Sequence, residues 1–103
     1  MKELFARVVA WQNKTFPDAT AESKIHHLTE EVQELLEDIQ KGKTVDDLEL
    51  EFADCFLLLF GAAAKCNLDF DDLSKAIEKK YNINIQRNWG KPDENGVVKH
   101  VKG

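Results

Sequence analysis

The sequence predicts an all-α fold: an antiparallel bundle of about four helices with a short turn-rich C-terminal tail, completed by oligomerisation. Three observations carry this. Apolar residues recur at helical spacing through most of residues 3–88. Stop and start residues, around Pro17, around Gly42 and over Asn67–Asp71, interrupt that pattern at helix-length intervals. Strict apolar/polar alternation, the mark of a half-buried strand, is scarce.

Taken in order, residues 3–15 place Leu4, Val8, Trp11 and Thr15 on one helical stripe. Pro17 stops that helix, and Asp18, Thr20 and Ser23 are turn or N-cap residues. Residues 24–41 carry Ile25, Leu28, Val32, Leu35, Leu36 and Ile39 as a second stripe, ended by Gly42. Thr44 and Asp47 form a Thr-x-x-Asp start for a third helix running to about Cys66. Phe52, Phe56, Leu57, Leu59 and Phe60 cover most of its circumference, a pattern normally buried. A fourth helix spans roughly 71–88, and the tail "GKPDENGVVKHVKG" is turn-rich, with "VVKHV" a short extended candidate.

Composition narrows the function classes. Hydrophobic residues at 43% and charged residues at 32% describe a globular chain, read here as a single domain over 1–103. A net charge of −5 argues against a binder of polymeric nucleic acid, whose affinity rests on cations neutralising phosphates. It leaves a mononucleotide with a bound cation open, because a metal inverts the local charge. The longest uncharged run, Cys55–Ala64, is ten residues, against about 20 for a membrane span. "MKELFARVVAW" gives no signal-peptide pattern. Cys55 and Cys66 on one helix would stand about 16 Å apart, too far for a disulfide, so reduced thiols in a cytoplasmic protein are expected.

The chemistry lies in the carboxylates. Glu30, Glu31 and Glu34 occupy one turn of the second helix, and Glu51 and Asp54 lie within about 60° of each other on the third. Two readings are open for each group. Either the acids form solvated faces and a dipole-stabilised first turn, or the two pairs face each other across antiparallel helices. The second arrangement repels itself unless a divalent cation sits among the oxygens, and all-oxygen donors suit Mg²⁺, with Mn²⁺ as a substitute. On the fourth helix the stripe of Leu73 and Ile77 continues through Lys80, Asn84 and Arg87. That is either a wall for a polyphosphate or a helix whose last turns are wet. No glycine-rich phosphate loop is present, since "GKT" at 42–44 has Glu37 where a Walker motif needs glycine.

These residues resemble the MazG-like all-α nucleoside triphosphate pyrophosphohydrolases, whose mark is EExxE, a spacer, then ExxD. Here it reads Glu30-Glu31-x-x-Glu34, sixteen residues, then Glu51-x-x-Asp54. "WQNKTFPDAT", Lys80-x-x-x-Asn84-x-x-Arg87-x-Trp89 and "PDENGVVKHV" extend the likeness over almost the whole chain, toward the short phage- and bacterium-type dATP/dGTP diphosphohydrolase branch. The resemblance implies Mg²⁺-dependent hydrolysis of a (deoxy)nucleoside triphosphate, a purine dNTP in this branch, to the monophosphate and pyrophosphate by a homodimer or dimer of dimers. It implies Glu31, Glu34, Glu51 and Asp54 as metal ligands, and Glu30 as an auxiliary catalytic carboxylate near the attacking water. Lys80 and Arg87 would hold phosphates and Asn84 the sugar or a phosphate. Trp11 is either a base-stacking ring or an ordinary core residue, and His27 and His100 either reach the site or serve the surface. Phosphoribosyl-ATP or dCTP/dUTP pyrophosphohydrolysis, and a non-catalytic nucleotide-binding module, are the alternatives.

Overall fold

The computed structural model describes residues 1–101. It contains helices α1 (Lys2–Thr15), α2 (Ala21–Gln40), α3 (Val45–Lys65) and α4 (Phe70–Ile85), then a two-stranded ribbon of β1 (Asn88–Trp89) and β2 (His100–Val101). The chain divides into two compact units, one ending at Asp71 and one beginning at Asp72.

Local chemistry sets the ends of the helices. Thr20 caps α2 reciprocally with Ser23: the Ser23 N–H donates to Thr20 Oγ1 at 3.0 Å, and the Thr20 N–H donates to Ser23 Oγ at 2.9 Å. Thr20→Ala should therefore cost about 1 kcal/mol, read as a lowered urea midpoint with an unchanged slope. An unshifted midpoint would remove the cap from the stability account. At the other end Gly42 adopts φ 72°, and the N–H groups of Gly42 and Lys43 donate to Ile39 O and Asp38 O, both at 3.1 Å. This paired left-handed ending leaves only Thr44 before α3, whose hydroxyl accepts the Asp47 N–H. A link so short folds α2 and α3 into an antiparallel αα-hairpin, the most extensive packing in the chain. Asn67, at φ 65°, ends α3 in the same way, with the Leu68 N–H on Ala63 O at 3.1 Å.

In the first unit α1 packs on α3. Phe5, 5% exposed, lies against Phe60 and Phe70 with ring centroids 5.1 and 5.8 Å away. The covered side of α1 is therefore Phe5, Val8, Val9 and Gln12; Leu4 and Trp11 are exposed. The expected stripe was Leu4, Val8, Trp11 and Thr15, and the correction is a rotation of about one residue toward the aromatic cluster. The covered sides of the hairpin run through Lys24, Leu28, Glu31 and Leu35 on α2 and through Leu48, Glu51, Cys55, Leu58 and Ala62 on α3.

The expectation that α3 is buried all round is not met within one chain. Phe52, Phe56 and Leu59 are exposed, as are Val32, Leu36 and Ile39 on α2, because α1 and α2 cover only part of the α3 circumference.

In the second unit α4 has no buried residue, and Ile77 of its expected inward stripe is exposed. The ribbon pairs Asn88 with Val101 and Trp89 with His100. Its turn is held by Asp93, whose Oδ1 accepts the N–H groups of Asn95 and Val97, and by Gly96 at φ 79°.

Candidate active site

The packed faces of α2 and α3 are apolar except where Lys24 and a few carboxylates interrupt them. Glu31 stands in line with Leu28 and Leu35, and Glu51 with Leu48, Cys55 and Leu58. Interior carboxylates need a partner, because burial disfavours the charged form. Glu51 shows the effect. A hydrogen bond shared with Asp38, then burial, then repulsion from Asp38 hold its carboxyl above the usual range. Asp38 is held below its usual range by the same bond and by Lys43, whose Nζ is 3.3 Å from Asp38 Oδ1. Even so, Glu51 Oε2 is buried with no hydrogen-bond partner. Near by, burial pushes the Cys55 thiol pKa up, and the fields of Glu31, Asp54 and Glu51 push it further. Three of the expected ligands thus act on one sulfur.

The five acids do not all converge. Glu31 and Asp54 line one cleft of about 390 Å³. Glu51 turns toward Asp38, and Glu30 and Glu34 are exposed on α2. Among the described residues no three His, Cys, Asp or Glu side chains form a ready donor set. Like charges separate unless a cation lies between them, and these side chains have the rotamer freedom to do so.

The same cleft carries an aromatic wall. Trp11 and Phe16 meet edge to face, centroids 5.6 Å apart, with Trp11 58% exposed, so Trp11 is not an ordinary core residue. His27 lines the cleft, with Nε2 3.2 Å from Glu31 Oε1. At the buried end lie two residues that sequence reasoning passed over. Lys24 Nζ donates to Gln12 Oε1 at 3.2 Å, and Gln12 Nε2 donates to Leu57 O at 3.0 Å; both side chains belong to residues only 6% exposed. Burial, then repulsion from Lys65, lowers the Lys24 pKa. A signal existed, since Lys24 is in helical register with Leu28, Glu31 and Leu35, where a solvated lysine would not stand.

In the second unit Lys80 is exposed. Asn84 is half-buried, its Oδ1 enclosed without a hydrogen-bond partner and its backbone carbonyl accepting Trp89 Nε1–H at 2.9 Å. Arg87 Nη1 lies 3.4 Å from His100 Nδ1, so His100 belongs to the ribbon and its helix junction.

The fold and the acid-lined cleft define the class, an all-α nucleotide pyrophosphohydrolase. The family model for the dATP/dGTP pyrophosphohydrolases matches residues 4–103, and the chain belongs to that family. It is 34% identical over 101 residues to a dATP/dGTP diphosphohydrolase of Cyanophage S-2L, covering 98% of this chain and 88% of the relative. A solved structure of a Cyanophage S-2L MazG-like pyrophosphohydrolase, bound to dGDP and three catalytic Mn²⁺ ions per active site, superposes with a TM-score of 0.76. It is 31% identical and covers 97% of this chain and 95% of its own. Among the described residues no helix is long and apolar enough to cross a membrane.

Proposed function

We propose that the enzyme hydrolyses purine deoxynucleoside triphosphates to the monophosphate and pyrophosphate in the cleft of the first unit, and that residues 1–103 act as one catalytic domain. The observation that carries this reading is the joining, in one cleft, of an aromatic wall (Trp11, Phe16) with two carboxylates on facing helices (Glu31, Asp54). The dATP/dGTP activity named for the cyanophage relative, and the dGDP in the similar structure, support a purine deoxynucleotide.

The residues fit a hard divalent cation. Glu51 carries an enclosed carboxylate oxygen with no donor, and Glu31, Asp54 and Glu51 act together on Cys55. Oxygen donors alone suit Mg²⁺ or Mn²⁺, and the three Mn²⁺ of the cyanophage structure agree with that chemistry. Glu31, Glu34, Glu51 and Asp54 would hold the metal. Bound there, it supplies an acidified water and neutralises charge on the phosphates. Glu30 would orient the attacking water at the α-phosphorus. Trp11, more than half exposed in the cleft, would stack on the base. By motif position Lys80 and Arg87 would take the charge that grows on the departing pyrophosphate, and the unpartnered Asn84 Oδ1 would accept from a sugar hydroxyl. His27 would hold Glu31 in orientation through their contact.

Each dNTP, incubated with Mg²⁺ or Mn²⁺, should yield equal amounts of monophosphate and pyrophosphate, fastest for the purines, and EDTA should stop the reaction. Stepwise orthophosphate release, or turnover untouched by EDTA, would contradict the assignment; a pyrimidine preference would move it to the dCTP/dUTP group.

The exposed Phe52, Phe56 and Leu59 on α3 and Val32, Leu36 and Ile39 on α2 support a homodimer or dimer of dimers, checked by a light-scattering mass of two or four chains. Free thiols at Cys55 and Cys66 support a cytoplasmic setting.

A further inference from the structure

A buried lysine normally answers to a carboxylate. Lys24 does not: its hydrogen-bond partner is the neutral Gln12 amide, the described residues give it no ion pair, and the charged neighbour acting on it is Lys65, another cation. The arrangement is nevertheless built by three helices. Gln12 comes from α1 and Lys24 from α2, while α3 contributes the Leu57 carbonyl that receives Gln12 Nε2–H and the bare backbone of Gly61. A Cβ at Gly61 would fall on Gln12 Oε1 and come within 3.0 Å of Lys24 Cδ. Glycine in mid-helix costs about 1 kcal/mol relative to alanine, and here it makes room for this pair.

The ammonium has three N–H groups, and the bond to Gln12 uses one. Gln12 Oε1 keeps a second lone pair. Two donors and one acceptor therefore stand side by side, on two buried residues, in the cleft that Trp11 and Phe16 also line. The edge of a purine at N7 and C6 offers the matching groups: N7 accepts in both purines, O6 accepts in guanine, and the N6 amino group donates in adenine. A pyrimidine has no counterpart to N7.

We infer that Gln12 and Lys24 are the specificity-determining pair of the cleft, reading the N7/C6 edge of either purine. Lys24 Nζ donates to N7 in both bases. A second Lys24 N–H serves guanine O6, and Gln12 Oε1 accepts from adenine N6. Both purines are thus served by one constellation without rearrangement. The inference rests on the reading above that a purine nucleotide occupies the cleft. A phosphate on Lys24 is the competing role. The aromatic and aliphatic residues that line the same cleft (Trp11, Phe16, Leu57, Leu58) favour the base.

The test compares dGTP and dATP with their 7-deaza analogues, in which N7 is a C–H group, and with dTTP. In the wild type, kcat/KM should fall about tenfold or more on removal of N7, the usual weight of a hydrogen bond to a charged donor. In Lys24→Met the analogue and its parent should agree within about twofold, since the partner of N7 is gone. Gly61→Ala, which displaces Gln12, should shrink the same discrimination. A wild type indifferent to N7 overturns the inference, whether or not either variant folds. So does a Lys24→Met variant that slows purine and thymine nucleotides by one common factor, the signature of a phosphate contact. Titration of the wild type with dGMP and 7-deaza-dGMP separates this from the catalytic reading. Binding that depends on N7 without pyrophosphate release would uphold the base readout and sink the activity. Pyrophosphate release with binding blind to N7 would do the reverse.

Discussion

Asp54→Asn should leave the fold intact and lower kcat/KM for dGTP by roughly 10²–10³-fold. The substitution keeps shape and hydrogen-bonding capacity but removes the charge that a divalent cation needs. Asp54 is exposed on α3 and lines the cleft with Glu31. Its loss therefore opens no cavity, and the stability change should stay within about 0.5 kcal/mol. Circular dichroism through the melt and initial rates at saturating Mg²⁺ check the two halves of the statement. Glu34→Ala should behave alike, since Glu34 is also exposed. Undiminished turnover in either variant would remove that residue from the metal site. A large drop in melting temperature would instead assign the residue to the architecture.

Phe5→Ala acts on the other side of the first unit and should be the most destabilising single truncation, at about 3–5 kcal/mol. Phe5 is among the few nearly enclosed side chains, and it closes the triangle with Phe60 and Phe70, whose own centroids are 6.5 Å apart. Truncation removes both the transferred apolar area and the two tilted ring contacts, and two rings from other helices cannot collapse into the gap without moving backbone. Against the 5–15 kcal/mol of a typical domain, the loss is a large fraction of the whole. Urea unfolding at one fixed protein concentration measures it, because assembly would make stability concentration-dependent. A cost below about 1 kcal/mol would mean that the cluster does not anchor α1.

The helices were legible because their signals are local. Thr20 and Thr44 cap α2 and α3 as their positions announce, and Gly42 ends α2 in the left-handed conformation that it adopts most readily. The acidic pairs were legible too, since spacing of three on a helix puts carboxylates on one side whatever packs against them. The contact between Gln12 and Lys24 was not. Gln12 and Lys24 are twelve residues apart, joined only because α1 and α2 both meet α3. Gly61 carries no sign in the letters of why an alanine would fail there. The ribbon was half legible: "VVKHV" has an extended character, but its pairing with Asn88 and Trp89 depends on a turn built by Asp93 and Gly96.

Periodicity, caps and turn residues are properties of neighbours along the chain, and from them the number and order of the four helices follow, with ends that shift by up to three residues (α2 begins at Ala21 rather than 24, α4 ends at Ile85 rather than 88), together with the acids that define the family. Which stripe of each helix is covered is a property of contacts between distant residues. Those contacts rotate the buried side of α1 onto Phe5 and Gln12 and leave Trp11 facing the cleft. They also turn Glu51 toward Asp38 and enclose the Lys24 ammonium against Gln12. The physical reason is that dihedral preferences act over a few residues, whereas desolvation and charge pairing act between whatever surfaces the helices bring together.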